Sequence, residues 1–245
     1  MNTPGPLSRI RIVLSHPAHP GNIGAAARAM KTMGISRLYL VNPKKFPHPE
    51  ARGMAAGAHE VLESARICGS LDEALEGTTF SIAMSARRRD LSHAPFDART
   101  AAREITAAAE HGEAALVFGT ETVGLANEEV MKCTRLAHIP ANPENTSLNL
   151  AQAVQVMAYE TRLALFDGTP ESKPVEYARH EDIEAFYAHL ERSLHGSGFL
   201  HPKSPHRLME RMRRLFARAR LEKEEVNILR GMLAAWDGEN WREKK

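Results

Sequence analysis

Three stretches of the chain carry side chains able to grip an anion, hold a small polar ligand or steer a proton. The first, PGNIGAAARAMKTMG (Pro20 to Gly34), sets a single arginine, Arg28, among alanines. Its two close glycines raise the question of a phosphate cradle. A dinucleotide fingerprint needs G-x-G-x-x-G and an acidic residue at the end of the next strand. Here Gly21 and Gly24 lack the glycine between them, and the following run RLYLV leads into Asn42. No Walker A sequence occurs either, so both common nucleotide readings fail on spacing. The stretch reads instead as a strand-to-helix turn with close backbone approach at Gly21 and Gly24. A helix is expected from near Ile23, capped by Asn22. Arg28 then lies about one turn beyond Gly24, near a helix start where anions are favoured. The alternative is a solvated surface arginine above ordinary alanine packing.

The second stretch, LVFGTETVGL (Leu116 to Leu125), is an apolar run ending in Gly119, followed by a polar loop with Glu121 and Gly124. Ligands of open α/β sheets bind at the carboxyl ends of strands, so Gly119 is placed for close backbone contact with one. The third, IPANPENTSLNLAQAVQ (Ile139 to Gln155), is a strand end, a polar loop and a long helix. Thr146 or Ser147 is the expected N-cap. Asn149 is a mediocre helix former in the first turn of an otherwise well-built helix. Ordinary strand–turn–helix connections and simple capping are the competing readings.

Outside these stretches, SARRRD (Ser85 to Asp90) puts Arg87, Arg88 and Arg89 just after a strand end. Arg207, Arg211, Arg214 and Arg218 recur at helical spacing on one face, with Leu208, Met212, Leu215 and Ala219 on another. Both arginine groups suit phosphates, and both also suit solvated surface. His16-x-x-His19 has no visible third ligand, so no metal is expected. Cys68 and Cys133 form no CxxC pair and are expected to be reduced and buried.

The elements that must position these residues alternate. Strands are expected at Arg9–Leu14, Arg37–Val41, Ala65–Cys68, Thr79–Met84, Ala114–Phe118 and Leu136–Ile139. Helices are expected at Ile23–Met33, Leu71–Glu76, Ala98–Glu110, Asn127–Cys133 and Leu148–Phe166. The runs RIRIVL, FSIAM and AALVF are nearly continuous apolar stretches, as in strands covered on both faces. The alternation predicts a parallel α/β sheet. At DGTPESKP (Asp167 to Pro174) the composition shifts to linker residues. Beyond it only helical patterns follow: Glu181–Leu194, Pro205–Leu221 and Glu224–Trp236.

The chain has 245 residues, 43% of them hydrophobic and 25% charged, enough for one large domain with a small extension. No run approaches the ~18 apolar residues of a membrane span. The N-terminal MNTPGPLSRI lacks the features of a signal peptide, which makes the cytoplasm the expected location. The net charge is +2 and neither residues 1–170 nor residues 171–245 are strongly basic overall, so any nucleic-acid site must be a local patch.

The motifs N-x5-R (Asn22, Arg28), FGTETVGL and NTSLNL occur in that order in one α/β domain. Together they resemble the three motifs of SPOUT-class RNA ribose 2′-O-methyltransferases of the TrmH-like group. Within that group, the resemblance extends over the helical tail to enzymes acting at nucleotide 32, cytidine or uridine, of the tRNA anticodon loop. It implies a SPOUT-type parallel sheet with a C-terminal trefoil knot, plus a small all-α module. The implied division is a methyltransferase domain at 1–166, a linker at 167–178 and a tRNA-binding extension at 179–245. It implies S-adenosylmethionine as cofactor, tRNA as partner and a homodimer with the active site shared between subunits. The implied catalytic residues are Arg28, Asn22, Glu121, Ser147 and Asn149. The implied cofactor contacts are Met84, Ser85, Ala86, Gly119, Ile139, Thr146, Ser147 and Leu148. RNA contacts would then fall to Arg28, Arg87, Arg88 and Arg89, and to Arg207, Arg211, Arg214 and Arg218. The same chemistry on ribosomal RNA, or a non-catalytic knotted RNA-binding protein, are the alternative expectations.

Overall fold

The computed structural model describes residues 5–87, 95–165, 175–200 and 205–238. Arg88 and Arg89 lie outside the described residues. Among the described residues, seven strands form one sheet: β1 (Ile10–Ser15), β2 (Arg37–Val41), β3 (Arg66–Cys68), β4 (Thr78–Met84), β5 (Phe96–Asp97), β6 (Glu113–Phe118) and β7 (Arg135–His138). Their order is β3-β2-β1-β6-β4-β7-β5, and every pairing is parallel. The apolar runs become the central strands β1, β6 and β4, buried on both faces as such strands must be. One cross-strand row, Leu38–Ile12–Leu116–Ile82, runs through the middle of the sheet and ends at Arg135 on β7.

The helices of this domain are α1 (Pro20–Met33), α2 (Pro49–Met54), α3 (His59–Glu63), α4 (Leu71–Leu75), α5 (Ala98–His111), α6 (Asn127–Met131) and α7 (Leu150–Ala164). On one face, Ile23 and Met30 of α1, Ile105 of α5, and Val154 and Met157 of α7 share a core. On the other, Leu71 and Leu75 of α4 pack with Val130 of α6 and the free, buried Cys68 and Cys133. The alanines of α1 have a plain use. Ala26, Ala27 and Ala29 are buried, and a β-carbon on Gly24 would collide with the Ala51 carbonyl, so α1 and α2 lie nearly in backbone contact.

The C-terminal part consists of α8 (His180–Gly196), α9 (Pro205–Ala219) and α10 (Lys223–Trp236). Its core is small and aromatic: Phe186 meets Phe216 edge-on at 4.9 Å between ring centroids, beside Tyr187, Leu190, Val226 and Leu233. Residues at the end of the expected linker are tied to it, since the Ala178 N–H donates to the Leu221 carbonyl and the Lys223 N–H to the Glu176 carbonyl.

Local readings change in four places. The helix α1 begins at Pro20, a favoured first helical residue, so Asn22 lies inside the first turn and is not the cap. The helix α7 begins at Leu150. Its N-cap is Asn149, which accepts from the Ala151 and Gln152 N–H groups, in place of Thr146 or Ser147. On α9, the packed apolar side chains are Met209, Met212 and Phe216, while Leu215 and Ala219 are exposed. The elements β5, α2 and α3 were not expected at all: each is six residues or fewer, too short to show a period.

Candidate active site

The carboxyl ends of β4, β6 and β7 open onto one cleft of about 300 Å³. Four segments build it. Met84 ends β4 and Ser85 and Ala86 follow it, and Gly119 to Gly124 follow β6. Ile139 follows β7, and Thr146, Ser147 and Leu148 precede α7. All eight expected cofactor residues line this single cleft, although they come from positions 84 to 148 of the chain. Arg87 stands at its rim, exposed. Sequence reasoning missed Phe118, Thr120, Thr122, Val123 and Ala153 as lining residues. The first four lie inside the motif FGTETVGL, which was the available signal.

Each wall has a local cause. Thr120 and Gly124 exchange backbone hydrogen bonds of 3.2 and 3.0 Å, closing the loop after β6 into a tight turn. Gly124 takes φ of +70°, and the Thr120 hydroxyl accepts from the Val123 N–H at 3.1 Å. A β-carbon on Gly119 would overlap the backbone of Gly124 and Leu125, so only glycine permits this turn to fold back on the strand. After β4, the Ser85 N–H donates to the Ala137 carbonyl at 2.9 Å, and its hydroxyl accepts from the Arg87 N–H at 3.2 Å.

Beside the cleft, residues from the three motifs are joined by their side chains. The Asn22 amide donates to Glu121 Oε1 at 3.0 Å and accepts, through its oxygen, from the Asn149 amide at 3.0 Å. Glu121 also accepts from the backbone N–H groups of Ala18 (3.0 Å) and His19 (3.1 Å), which precede α1. Partial burial opposes its charge. The hydrogen bonds from Asn22, Ala18 and His19 outweigh that and hold its carboxyl below the usual range. The carboxylate is thus a fixed anion that locks the start of α1 to the loop after β6. Ser147 lines the cleft and is exposed. His16 accepts from or donates to Ser15 at 2.9 Å, and no group of three metal-binding side chains occurs among the described residues.

Arg28 is not brought to this cleft. It projects from an exposed face of α1 and lines neither the cleft nor the broad trough between α1, α2 and α7, where Asn22, Ala25, Met54, Asn149, Gln152 and Gln155 lie. Arg207, Arg211, Arg214 and Arg218 are exposed along α9, away from the cleft.

A parallel sheet of this order, with its cleft built from the loops after β4, β6 and β7, defines a SPOUT-type methyltransferase domain. The chain belongs to the SpoU rRNA Methylase family, whose model matches residues 9–159. A second model, the C-terminal domain of tRNA methyltransferase TrmJ, matches residues 181–245. The tRNA (cytidine/uridine-2′-O-)-methyltransferase TrmJ of Pectobacterium atrosepticum is 48% identical over 233 residues, covering 94% of this chain and 97% of that one. The crystal structure of TrmJ from Z. mobilis ZM4 superposes with a TM-score of 0.81 at 32% identity, covering 93% of this chain and 98% of that one. A probable methylase family protein from Haemophilus influenzae Rd KW20 gives 0.64 at 41% identity, with coverages of 95% and 97%.

Proposed function

We propose that the protein transfers a methyl group from S-adenosylmethionine to the ribose 2′-oxygen of nucleotide 32, cytidine or uridine, in the tRNA anticodon loop. The observation that carries this reading is the convergence of three strand-end segments and the segment before α7 on one cleft beside the joined Asn22, Glu121 and Asn149. The names of the TrmJ relatives supply the tRNA and the 2′-oxygen. Residues 1–166 carry the chemistry and 179–245 engage tRNA, with 167–178 as the joint. The trefoil knot belongs to this reading, as does a cytoplasmic homodimer.

The cleft suits the cofactor. Its volume lies at the small end of ligand sites, and its lining mixes apolar walls (Met84, Ile139, Leu148) with hydroxyls and backbone groups. When bound, S-adenosylmethionine supplies a methyl that is already electrophilic. The protein's part is therefore positioning and electrostatics. Gly119 and Leu148 let backbone approach the ligand, and Ser147 faces the cleft from the loop before α7. Glu121, fixed as an anion, keeps Asn22 and Asn149 in register.

Arg28 acts across the dimer. Its exposed place on α1, outside its own cleft, fits a residue that serves the partner's site. Tyr159 and Leu163, exposed on α7, provide apolar surface for that contact. A guanidinium stays protonated in proteins, so Arg28 grips the phosphate beside the target ribose and does not act as the base. Lysine at position 28 should restore little activity, and near-full rescue would favour a different role. In confirmed mixed dimers, Arg28→Ala and Ser147→Ala subunits should form some working sites.

The deciding experiment is methyl transfer to unmodified tRNA, followed by nuclease digestion and mass spectrometry. The expected product is a 2′-O-methylated C32 or U32. A methyl found on a base, or only on ribosomal RNA, overturns the reading.

A further inference from the structure

The arginine row of α9 is held in place by two other arginines, neither of which belongs to the row. Arg135 ends the apolar row Leu38–Ile12–Leu116–Ile82 at the margin of the sheet. Its guanidinium donates to the carbonyls of Ala217 and Arg218, the last turn of α9. Those carbonyls have no partner within the helix, and the negative end of the helix dipole lies there. Arg220 follows directly, with φ of +54°, a left-handed conformation uncommon for a non-glycine residue. Its guanidinium lies 4.6 Å from the ring centre of Phe80, on β4, and 4.0 Å from that of Tyr177, before α8. Among the described residues, neither arginine has a carboxylate within ion-pair distance, and burial lowers the pKa of both. Surface charge pairing does not explain two half-buried cations at one point. Capping a helix end and stacking on two rings does.

Further contacts cross the same seam. His180 Nε2 meets Asp72 Oδ1 at 3.1 Å, and the Gly77 N–H donates to Glu181 at 2.9 Å. The end of α9 therefore has a fixed position on the sheet. Arg135, which holds it, lies four residues before Ile139 in the chain, about 13 Å from that part of the cleft wall at the usual rise per strand residue. From Arg218 the exposed row runs back to Arg207 over eleven residues, about 17 Å of helix.

We propose that Arg135 and Arg220 form a latch that fixes the α9 arginine row at a set distance from the cleft. That distance selects folded RNAs presenting a phosphate run at the matching span from the target ribose. The inference rests on the tRNA reading above and deepens it: Arg135 and Arg220 are specificity-determining positions that touch no RNA.

The test compares wild type, Arg135→Ala and the milder Tyr177→Leu, which removes one face of the Arg220 sandwich. Two substrates are used, full-length unmodified tRNA and an isolated anticodon stem–loop. KM for full-length tRNA should rise roughly tenfold, the scale of a lost charge-assisted contact. The kcat and all stem–loop kinetics should stay unchanged, and amide exchange in α9 should quicken. Arg135→Lys should restore only part of the loss, because one ammonium replaces a fork that reaches two carbonyls. Equal losses on both substrates overturn the proposal, as does quickened exchange with an unaltered KM. Affinity for full-length tRNA relative to the stem–loop gives a readout independent of catalysis. If wild type binds tRNA but methylates none, the proposed function fails while that ratio still decides the latch. A wild type that binds both RNAs equally overturns it.

Discussion

The cleft and the tail solve the same problem, fixing polar groups in space, by opposite means. At the cleft, backbone does the work. Turns close on themselves, glycines admit close approach, and side-chain amides link segments more than a hundred residues apart. In the tail, side chains do the work, through three aromatic rings, a bidentate Arg213–Glu184 pair at 2.6 and 2.7 Å, and the Arg135 and Arg220 latch. The lesson is one of tolerance. A backbone-built site fails at single glycines and is indifferent to many of its side chains. A side-chain-built module fails at its rings and is indifferent to most backbone changes.

The largest expected effect tests the first half of that contrast. Gly119→Val forces a side chain into the backbone of Gly124 and Leu125. Calorimetry should show S-adenosylmethionine binding lost, with a stability cost of about 1–3 kcal/mol from overpacking. Unchanged affinity would mean the loop after β6 is far more pliable than its hydrogen bonds indicate. Next in size is Phe186→Ala, which removes the hub of the tail's core. Truncating a buried phenylalanine costs about 3–5 kcal/mol. Here the cost should fall on the tail, so cofactor binding persists while α8 to α10 lose protection in hydrogen exchange. Loss of cofactor binding would show that the two regions stand or fall together.

The smallest expected effect is a pH dependence at Glu121. Its folded pKa lies below the ordinary 4.5, so its stabilisation is fully present above that value. It fades as pH falls through the lowered folded value. Glu121→Gln should bring cofactor affinity at neutral pH down towards the level that wild type reaches in acid, and should remove the acid dependence. An identical acid profile in the variant would take Glu121 out of the interlock.

Much of this was legible in the sequence because sheet strands and motif loops leave local signatures. RLYLV is β2 to the residue, and the apolar runs are the central strands. Much of the cleft lining was legible too, through FGTETVGL and NTSLNL and through the strand ends at Met84 and Ile139. What escaped was relational. Asn149 reads as a poor first-turn residue, yet it is the cap, a role fixed by where Leu150 starts to coil. Leu215 and Ala219 share a helical face with Met212, but α8 approaches from the side of Met209 and Phe216. Arg135 and Arg220 are 85 positions apart and look like any surface arginine. Their shared role exists only once β7 and the end of α9 meet.

Asn22 shows how narrow a single choice of side chain becomes at such a meeting. Its amide is a donor at one end and an acceptor at the other, and both ends are used, towards Glu121 and Asn149 respectively. Aspartate has the same shape but would face Glu121 with a second negative charge. Serine is too short to span both partners, and a hydrophobic residue would leave the Asn149 amide without its acceptor and Glu121 Oε1 with the His19 N–H alone. The polarity of one amide thus acts as a directional connector, and reversing or blunting it would disconnect all three motifs at once.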